Sequence, residues 1–277
     1  MRVFTLIVCL PAILAAQDPR EIVRRSVEID RKNLEIARNY TYLERREQRE
    51  LDGSGKVKDT EVQTSDVTLL EGSSYRRLVA RNDRPLSSKE QKREEDKLRN
   101  SIEERRKESK EERERRIADW ERRRQRQREP LKELPDAFDF RLIGEEALAG
   151  GEVYVIDAMP KPDYKPQLPA AAYFPKVKAR LWIDKNDYHW AKVEMETLDT
   201  ISLGGFLVRL AKGSRLIVEQ AHVSQEVWLL KSLTVHASAR VALIMNIRRE
   251  IIITFSDYSK KGTDAFSFPL TGRPSYL

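Results

Sequence analysis

Residues 177–197, VKARLWIDKNDYHWAKVEMET, decide the fold class of this chain. From Val177 to Ile183, apolar residues alternate with polar or aromatic ones, which is the period of two that a β-strand imposes on its side chains. The segment 184–187 is polar and turn-like, and the alternation resumes from Trp190 to Glu196. Two alternating runs on either side of a short turn predict an antiparallel strand pair.

The same alternation extends over most of the chain on both sides of this pair. It predicts further strands at 40–51, 56–71, 75–80, 138–142, 153–156, 206–210, 215–219, 226–231, 235–247 and 251–258. Asp52-Gly53-Ser54-Gly55 supplies a hairpin turn, because glycine readily adopts the positive φ that such turns need. Short strands joined in order by turns predict an antiparallel meander of about eleven strands.

Two helices are predicted beside the sheet. Asp18-Pro19 begins the first with a side-chain cap and a first-turn proline, and its apolar spacing continues to Arg38. Most residues between 87 and 129 are charged, and Pro130 ends this run. A serine cap and many pairs of opposite charge predict one long, exposed helix there. The predicted fold class is therefore α+β, mainly β: a curved antiparallel sheet (incomplete barrel) with an N-terminal helix and a long charged helix.

Residues 1–16 have the pattern of a cleavable signal peptide. Arg2 supplies the positive start, Val3 to Leu14 is almost wholly apolar, and Ala15-Ala16 precedes the expected junction at Gln17. The apolar run falls short of the ~20 residues that a membrane-spanning helix needs, and a retained N-terminal anchor is the alternative. We therefore predict a periplasmic protein that begins near Gln17. Removal of the segment would also remove Cys9, the single cysteine, and with it any disulfide.

The sequence carries no recognisable catalytic or metal-binding motif. The three histidines, His189, His222 and His236, are far apart and form no HExxH pattern. Neither a G-x-S-x-G elbow nor a phosphate-binding glycine loop is present. We predict that the protein is not an enzyme and needs no metal and no cofactor. A net charge of +7 would suit an anionic partner, but the predicted export argues against nucleic acid.

Four stretches give the chain a family resemblance: Tyr40-Thr41-Tyr42, Val57 to Leu70, Ala179 to Asp184, and Ala191 to Met195. With the N-terminal helix, they resemble the outer-membrane lipoprotein carrier family, which is LolA/LolB-like and includes lipoprotein-sorting proteins. The resemblance covers roughly residues 20–80 and 138–258. It implies a periplasmic, non-enzymatic carrier of acyl chains, with an incomplete barrel whose apolar concave face lies beneath helices. No functional residue of the family maps onto a particular position of this sequence.

We accordingly predict a single half-barrel domain at 17–277. The charged helix at 87–129 is inserted in it, where the family places lid elements, and 259–277 is a C-terminal tail. The predicted partner is a lipid or the acyl chain of a lipoprotein, held by burial of its CH₂ groups.

The predicted ligand-binding residues lie on an apolar face of the C-terminal strands. One helix of about twenty residues cannot cover so wide a sheet, so this face is either a plain core formed by curling of the sheet or a ligand cavity. The candidate residues are Val193, Met195, Phe206, Val208, Leu216, Val218, Val241, Leu243 and Met245.

The charged helix suggests an alternative function, that of an envelope interaction or stress-sensing module. The helix would then contact a protein or an anionic membrane surface. A solvated helix that packs only at its ends is the simpler interpretation. The arginines predicted to make such a contact are Arg122, Arg123, Arg124, Arg126 and Arg128.

Overall fold

The computed structural model of the chain describes residues 18–260, except 149, 204–207, 225 and 242–244. The predicted signal peptide at 1–16 lies outside the described residues, and so does most of the predicted tail, 261–277. Within the described ranges, no helix is both long enough and apolar enough to cross a membrane.

The structure consists of thirteen strands and a small number of helices. The α-helices are α1 (Pro19–Ala37), α2 (Ser88–Lys107), α3 (Lys110–Arg128) and α4 (Leu134–Ala137). Single 3-10 turns cover Glu129–Glu133, Pro169–Ala171 and Phe174–Lys176. The strands are β1 (Tyr40–Leu51), β2 (Val57–Leu70), β3 (Ser73–Arg81), β4 (Arg84–Pro85), β5 (Phe138–Leu148), β6 (Gly151–Pro160), β7 (Val177–Asp184), β8 (Trp190–Thr197), β9 (Ile201–Leu203), β10 (Val208–Leu210), β11 (Arg215–Ser224), β12 (Val227–Val241) and β13 (Met245–Lys260).

The strands form one open antiparallel sheet. Their order is β4-β3-β2-β1-β13-β12-β11-β8-β7-β6-β5, and the short β9 and β10 branch from β12. In the described part of the chain the end strands β4 and β5 do not pair with each other, so the curved sheet is a half-barrel. This confirms the predicted fold class. Two of the strands beyond the predicted eleven, β4 and β9, are too short to show an alternating pattern.

The charged segment differs from the prediction because it forms two helices rather than one. α2 ends at Lys107, and Ser109 caps α3 with a hydrogen bond from the backbone N–H of Glu112 (3.2 Å). The Glu112 carboxylate accepts the Ser109 backbone N–H in return (2.8 Å). This reciprocal capping box satisfies two N–H groups that a helix start leaves unpaired, and it therefore fixes a new helix start inside the charged run.

The C-terminal hairpin also corrects the sequence analysis. The predicted strands 226–231 and 235–247 are not separate, because β12 runs without interruption from Val227 to Val241. The next strand, β13, begins at Met245, which pairs with Val241 of β12. The sequence between these two residues, Ala242-Leu243-Ile244, is apolar and has neither glycine nor proline, so the alternating pattern carries no turn signal there.

Helix α1 packs on the inner face of the sheet, by which we mean the face that it contacts. Ile22 and Val23 are buried in one cluster with Ile183, Trp190 and other sheet residues. Each such side chain contributes ~1.5–3 kcal/mol when fully buried. At the same contact, the Trp190 indole N–H donates to Oγ of Ser26 (2.5 Å). The N-terminal half of the helix is therefore held by apolar packing and by the buried hydrogen bond between Trp190 and Ser26.

Candidate functional site

A cavity lies between the C-terminal half of α1, helix α3 and the inner face of the sheet. Its volume is about 320 Å³, and it is partly open to solvent. Its aromatic lining consists of Tyr40, Tyr42, Trp120, Trp228, Phe255 and Tyr258. The aliphatic lining is Leu34, Ala37, Val67, Leu69, Leu229 and Leu230, and the polar lining is Asp30, Asn33, Arg38, Thr68, Ser74, Arg124, Gln127, Arg128 and Gln220.

Three aromatic rings make one wall of the cavity. The Tyr42 ring centroid lies 5.6 Å from that of Phe255 and 5.5 Å from that of Tyr258. Burial raises the pKa of both Tyr42 and Tyr258, so both phenols are neutral at physiological pH. The Tyr258 hydroxyl donates to the backbone oxygen of Leu230 (2.6 Å), which satisfies its polar atom. This wall therefore offers apolar ring surface to a ligand.

An irregularity in β13 brings the rings of this wall together. Side chains three residues apart point to opposite faces of a regular strand, so Phe255 and Tyr258 would not both contact Tyr42. However, the β1–β13 register shifts between Thr41 and Leu43. Asp257 has a φ of 53° at this point, a left-handed conformation that Asp tolerates better than most residues. The extra residue returns Tyr258 to the face of Phe255.

The polar side of the cavity contains a buried ion pair. An Arg128 guanidinium nitrogen lies 3.3 Å from Oδ1 of Asp30, whose side chain is 8% exposed. Burial raises the pKa of Asp30, and the positive charge of Arg128 opposes this shift only in part. Near the helix end, Arg38 contacts Glu35 (3.3 Å) and Glu121 (3.1 Å). Arg128 and Arg38 are therefore both neutralised by acids.

Arg124 differs from those two arginines. Its guanidinium carbon lies 5.0 Å from the centroid of the Trp120 ring, and it donates one hydrogen bond to the Leu34 backbone oxygen (3.3 Å). Among the described residues, no carboxylate forms an ion pair with it. Burial lowers the pKa of Arg124, and the charge of Glu35 offsets this shift only in part.

Helices α2 and α3, which we call the charged helix pair (88–128), are attached to the sheet chiefly through arginines. Arg105 donates to the backbone oxygen of Leu70 (2.6 Å), close to the β2–β3 turn. Arg116 donates to Oγ of Ser73 (2.7 Å) and to the backbone oxygen of Glu71 (3.0 Å). α3 has no fully buried residue. The cavity is therefore covered by a polar helix that the sheet holds at the turn.

Three residues of the predicted ligand face take part in core packing beneath α1. Val193 is buried in the cluster beneath α1, and Met195 and Val218 pack against the same cluster. Leu216 is half-buried, opposite Met195. Val208, Val241 and Met245 are described by their backbone alone, and Phe206 and Leu243 lie outside the described residues. The cavity is displaced from this face towards β1, β2 and β13, and those of the nine whose side chains are described do not line it.

The five arginines predicted to contact an anionic surface do not share one face of α3. Arg124 and Arg128 point inwards and line the cavity, whereas Arg122, Arg123 and Arg126 are exposed. Arg122 is paired with Asp119. The sequence pattern did not separate the two groups, because arginines occupy nearly every position between 122 and 128.

Sequence reasoning missed the aromatic wall, and it missed that two histidines lie beside one carboxylate. His189 and His222 are distant in sequence, yet both lie close to the Asp187 carboxylate, at 3.2 Å and 3.6 Å. Both rings also contact the Trp228 ring, whose N–H donates to Asp187 (2.8 Å). Across the described residues, no group of three or more His, Cys, Asp or Glu is placed to hold a metal ion.

Comparison with known proteins gives distant structural matches. No protein-family model matches the chain, and no curated protein does. A lipoprotein-sorting protein domain from Vibrio parahaemolyticus is 12% identical, with 88% of this chain and 95% of that chain covered and a TM-score of 0.35. A LolA superfamily protein from Nitrosomonas europaea is 10% identical, with coverage of 89% and 94% and a TM-score of 0.32. The lipoprotein LppX of Mycobacterium tuberculosis is 8% identical, with coverage of 86% and 93% and a TM-score of 0.31.

The descriptions of the first two structures agree with the resemblance that the sequence predicts. At these values the matches describe a likeness of shape alone.

Proposed function

We propose that this protein is a non-enzymatic periplasmic carrier that holds one acyl chain of a lipid or lipoprotein in the cavity beneath α1 and α3. The observation that carries the proposal is the ring wall of Tyr42, Phe255 and Tyr258 inside a cavity of about 320 Å³. Sites for small molecules range from about 300 to 1,000 Å³ and are mostly apolar with a few polar groups. A volume at the small end of that range favours a single chain.

Burial of apolar surface supplies the binding free energy of such a carrier. Each CH₂ group moved from water into the cavity contributes ~0.8 kcal/mol. The aromatic side chains offer wide, rigid surfaces, so they lose little conformational freedom when a ligand binds. A chain of eight buried CH₂ groups would gain about 6 kcal/mol before the entropy of association is subtracted.

Displacement of a neutral fluorescent probe by fatty acids, together with native mass spectrometry of the exported protein, tests the proposal. Leu34→Trp should fill the cavity and abolish probe binding, because Leu34 lines it. Val223→Trp is the matched control, since Val223 is exposed and does not line the cavity. Probe binding that Leu34→Trp leaves unchanged would overturn the proposal, and so would repeated recovery of the wild type with neither bound lipid nor probe affinity.

A second candidate function is contact with an anionic membrane through the outer surface of α3. Arg123 and Arg126 are exposed, and among the described residues neither forms an ion pair. Each basic residue near an anionic membrane contributes ~1 kcal/mol. Replacing both by Gln should reduce co-sedimentation with phosphatidylglycerol vesicles and leave the probe affinity of the cavity intact. Unchanged co-sedimentation would exclude this function.

A further inference from the structure

Arg124 is the cavity-lining arginine whose positive charge lacks a paired acid in the described part of the chain. Arg128 has Asp30 at 3.3 Å, and Arg38 has Glu35 and Glu121. Arg124 makes one hydrogen bond to a neutral carbonyl and stacks over Trp120. A guanidinium has five N–H donors, so most of the hydrogen-bonding capacity of Arg124 is available to a ligand.

Among the described residues, the charged groups around Arg124 leave its guanidinium without an acid in direct contact. The titratable groups that act on its guanidinium are Glu35, Tyr42, Arg128 and Arg38. Tyr42 is neutral, Arg128 is balanced by Asp30, and Glu35 already pairs with Arg38. A charge that is partly removed from water without a partner is unfavourable, and an anionic ligand would relieve this cost.

The same charge lies near the aromatic wall. The field of Arg124 acts on the Tyr42 phenol, which contacts Phe255 and Tyr258. Arg124 and these three rings also line one cavity. An amphiphile could therefore place its chain against the rings while its polar end contacts the guanidinium.

Resting on the proposed function, we infer that the ligand is a monoanionic amphiphile, whose carboxylate or phosphodiester group pairs with Arg124 while its acyl chain packs against Tyr42, Phe255 and Tyr258. Arginine suits both anions, because its planar fork can donate two parallel hydrogen bonds to carboxylate or phosphate oxygens. A neutral lipid of the same chain length would leave Arg124 unpaired. The cavity thus selects its ligand by the charge of the head group as well as by the acyl chain.

Two pairs of probes with equal chain length test this inference. Myristic acid is compared with myristyl alcohol, and myristoyl lysophosphatidylglycerol with monomyristoylglycerol, which has no phosphodiester, each by displacement of a neutral fluorescent probe. A hydrogen bond to a charged group is worth ~1.5–3 kcal/mol, so we expect the anion to bind roughly tenfold tighter or more in at least one pair. The pair that shows the larger preference identifies carboxylate or phosphodiester as the natural head group.

Variants of Arg124 test whether this residue causes the preference for the anionic amphiphile. Arg124→Gln should abolish the preference for the anion and leave the affinity for myristyl alcohol within about twofold, because the ring wall is unchanged. Arg124→Lys should restore part of it. Arg122→Gln is the matched control, since Arg122 lies on the exposed side of the same helix and is paired with Asp119. Circular dichroism shows whether each variant folds.

The outcomes separate this inference from the proposed function. Equal affinity of the wild type for both members of each pair overturns the inference and leaves the acyl-chain carrier standing. A preference that survives in Arg124→Gln also overturns it. Binding of none of the four amphiphiles overturns both proposals. Should Arg124→Gln fail to fold, a wild-type preference that does not weaken as salt rises from low to high concentration overturns the inference, because a partly exposed ion pair is screened.

Discussion

Asn33 of α1 holds the backbone of Trp228 with both ends of its amide. Its Nδ2 donates to the Trp228 oxygen (2.7 Å), and its Oδ1 accepts the Trp228 N–H (3.0 Å). Asn33 is itself buried. This amide fixes the C-terminal half of α1 at the start of β12. It therefore positions the helix and the sheet, which line opposite sides of the cavity, relative to each other.

The first prediction concerns this contact. Asn33→Ala would leave a buried N–H and a buried C=O without partners, at a cost of ~1–3 kcal/mol each. We expect the melting temperature to fall by roughly 5–15 °C for a chain of this size. Lys32→Ala, at an exposed position on the same helix, should change it by no more than a few degrees. Differential scanning calorimetry of both variants provides the measurement, and equal melting temperatures would contradict the assignment.

A second prediction concerns the turn beneath α3. Gly72 has a φ of +89°, and a Cβ added there would lie 2.6 Å from Cδ1 of Ile117. Gly55 has almost the same φ, +88°, but no heavy atom within 4 Å of the added Cβ. Gly55→Ala therefore reports the backbone strain alone, ~1–2 kcal/mol. Gly72→Ala should be more destabilising in urea unfolding.

The double variant Gly72→Ala/Ile117→Ala separates the contact from the strain, because the shortened side chain no longer meets the new methyl group. In a double-mutant cycle it should recover the excess loss of Gly72→Ala over Gly55→Ala. Equal losses in free energy of unfolding for the two single glycine variants would show that the contact between Ile117 of α3 and the turn has no energetic effect.

Much of the sheet was predictable because its information is local. The alternation in 177–197 forms β7 and β8, and the Asp52 carboxylate organises the predicted hairpin by accepting the Ser54 N–H (2.8 Å) and the Lys56 N–H (2.9 Å). The break in the charged segment also has a local signal in the sequence, the capping pattern of Ser109 followed three residues later by Glu112. The density of charged residues hid it.

The cavity was not predictable, because it depends on contacts between distant residues. Asn33 and Trp228 are 195 positions apart. The rotation that places Phe255 and Tyr258 on one face comes from the backbone conformation of Asp257, for which the sequence offers no turn signal. The alternation marked an apolar inner face, but it could not show how much of that face α1 would cover.

A third prediction follows from the raised pKa of Asp30. Burial favours the protonated acid in the folded state, so the stabilisation is complete below the unfolded pKa, near 3.9, and is lost as pH rises through the raised folded pKa. Asp30→Asn does not titrate. The free energy of unfolding of Asp30→Asn minus that of the wild type should therefore increase as pH rises from about 3.5 to 7. Urea unfolding at several pH values measures it, and a difference that decreases would contradict the assignment.

A fourth prediction has the opposite sign. Burial pushes the pKa of Asp187 upwards, but hydrogen bonds from the His189 N–H and the Trp228 indole outweigh it and lower the pKa. The stabilisation is present above the unfolded pKa, near 3.9, and is lost as pH falls through the lowered folded value. Asp187→Asn should therefore be less stable than the wild type at pH 7, and the difference between their free energies of unfolding should decrease towards pH 3. Tryptophan fluorescence during urea unfolding reports this directly, and a difference independent of pH would refute it.

A fifth prediction concerns the attachment of the charged helix pair. Arg116 contacts Ser73 and Glu71 of the sheet and also pairs with Glu108. Arg116→Met removes these contacts, so residues 88–128 should be cleaved several-fold faster by a glutamate-specific protease. Arg115→Met is the control, because Arg115 is exposed on the same helix and forms no ion pair with another described residue. Equal cleavage rates in the two variants would mean that Arg116 does not anchor the pair.

The polar character of the charged helix pair has a consequence for release of a ligand. α2 buries one apolar residue, Leu98, and α3 buries none. If α3 lifts away, most of its own surface is already compatible with water, whereas the rings and aliphatic side chains of the cavity become wet, together with Ile117 and Trp120 of α3. The free-energy cost of opening therefore comes mainly from the apolar lining of the cavity and not from the polar surface of α3. A second apolar surface, on a receiving protein or in a membrane, would lower this cost by covering the lining of the cavity as it opens.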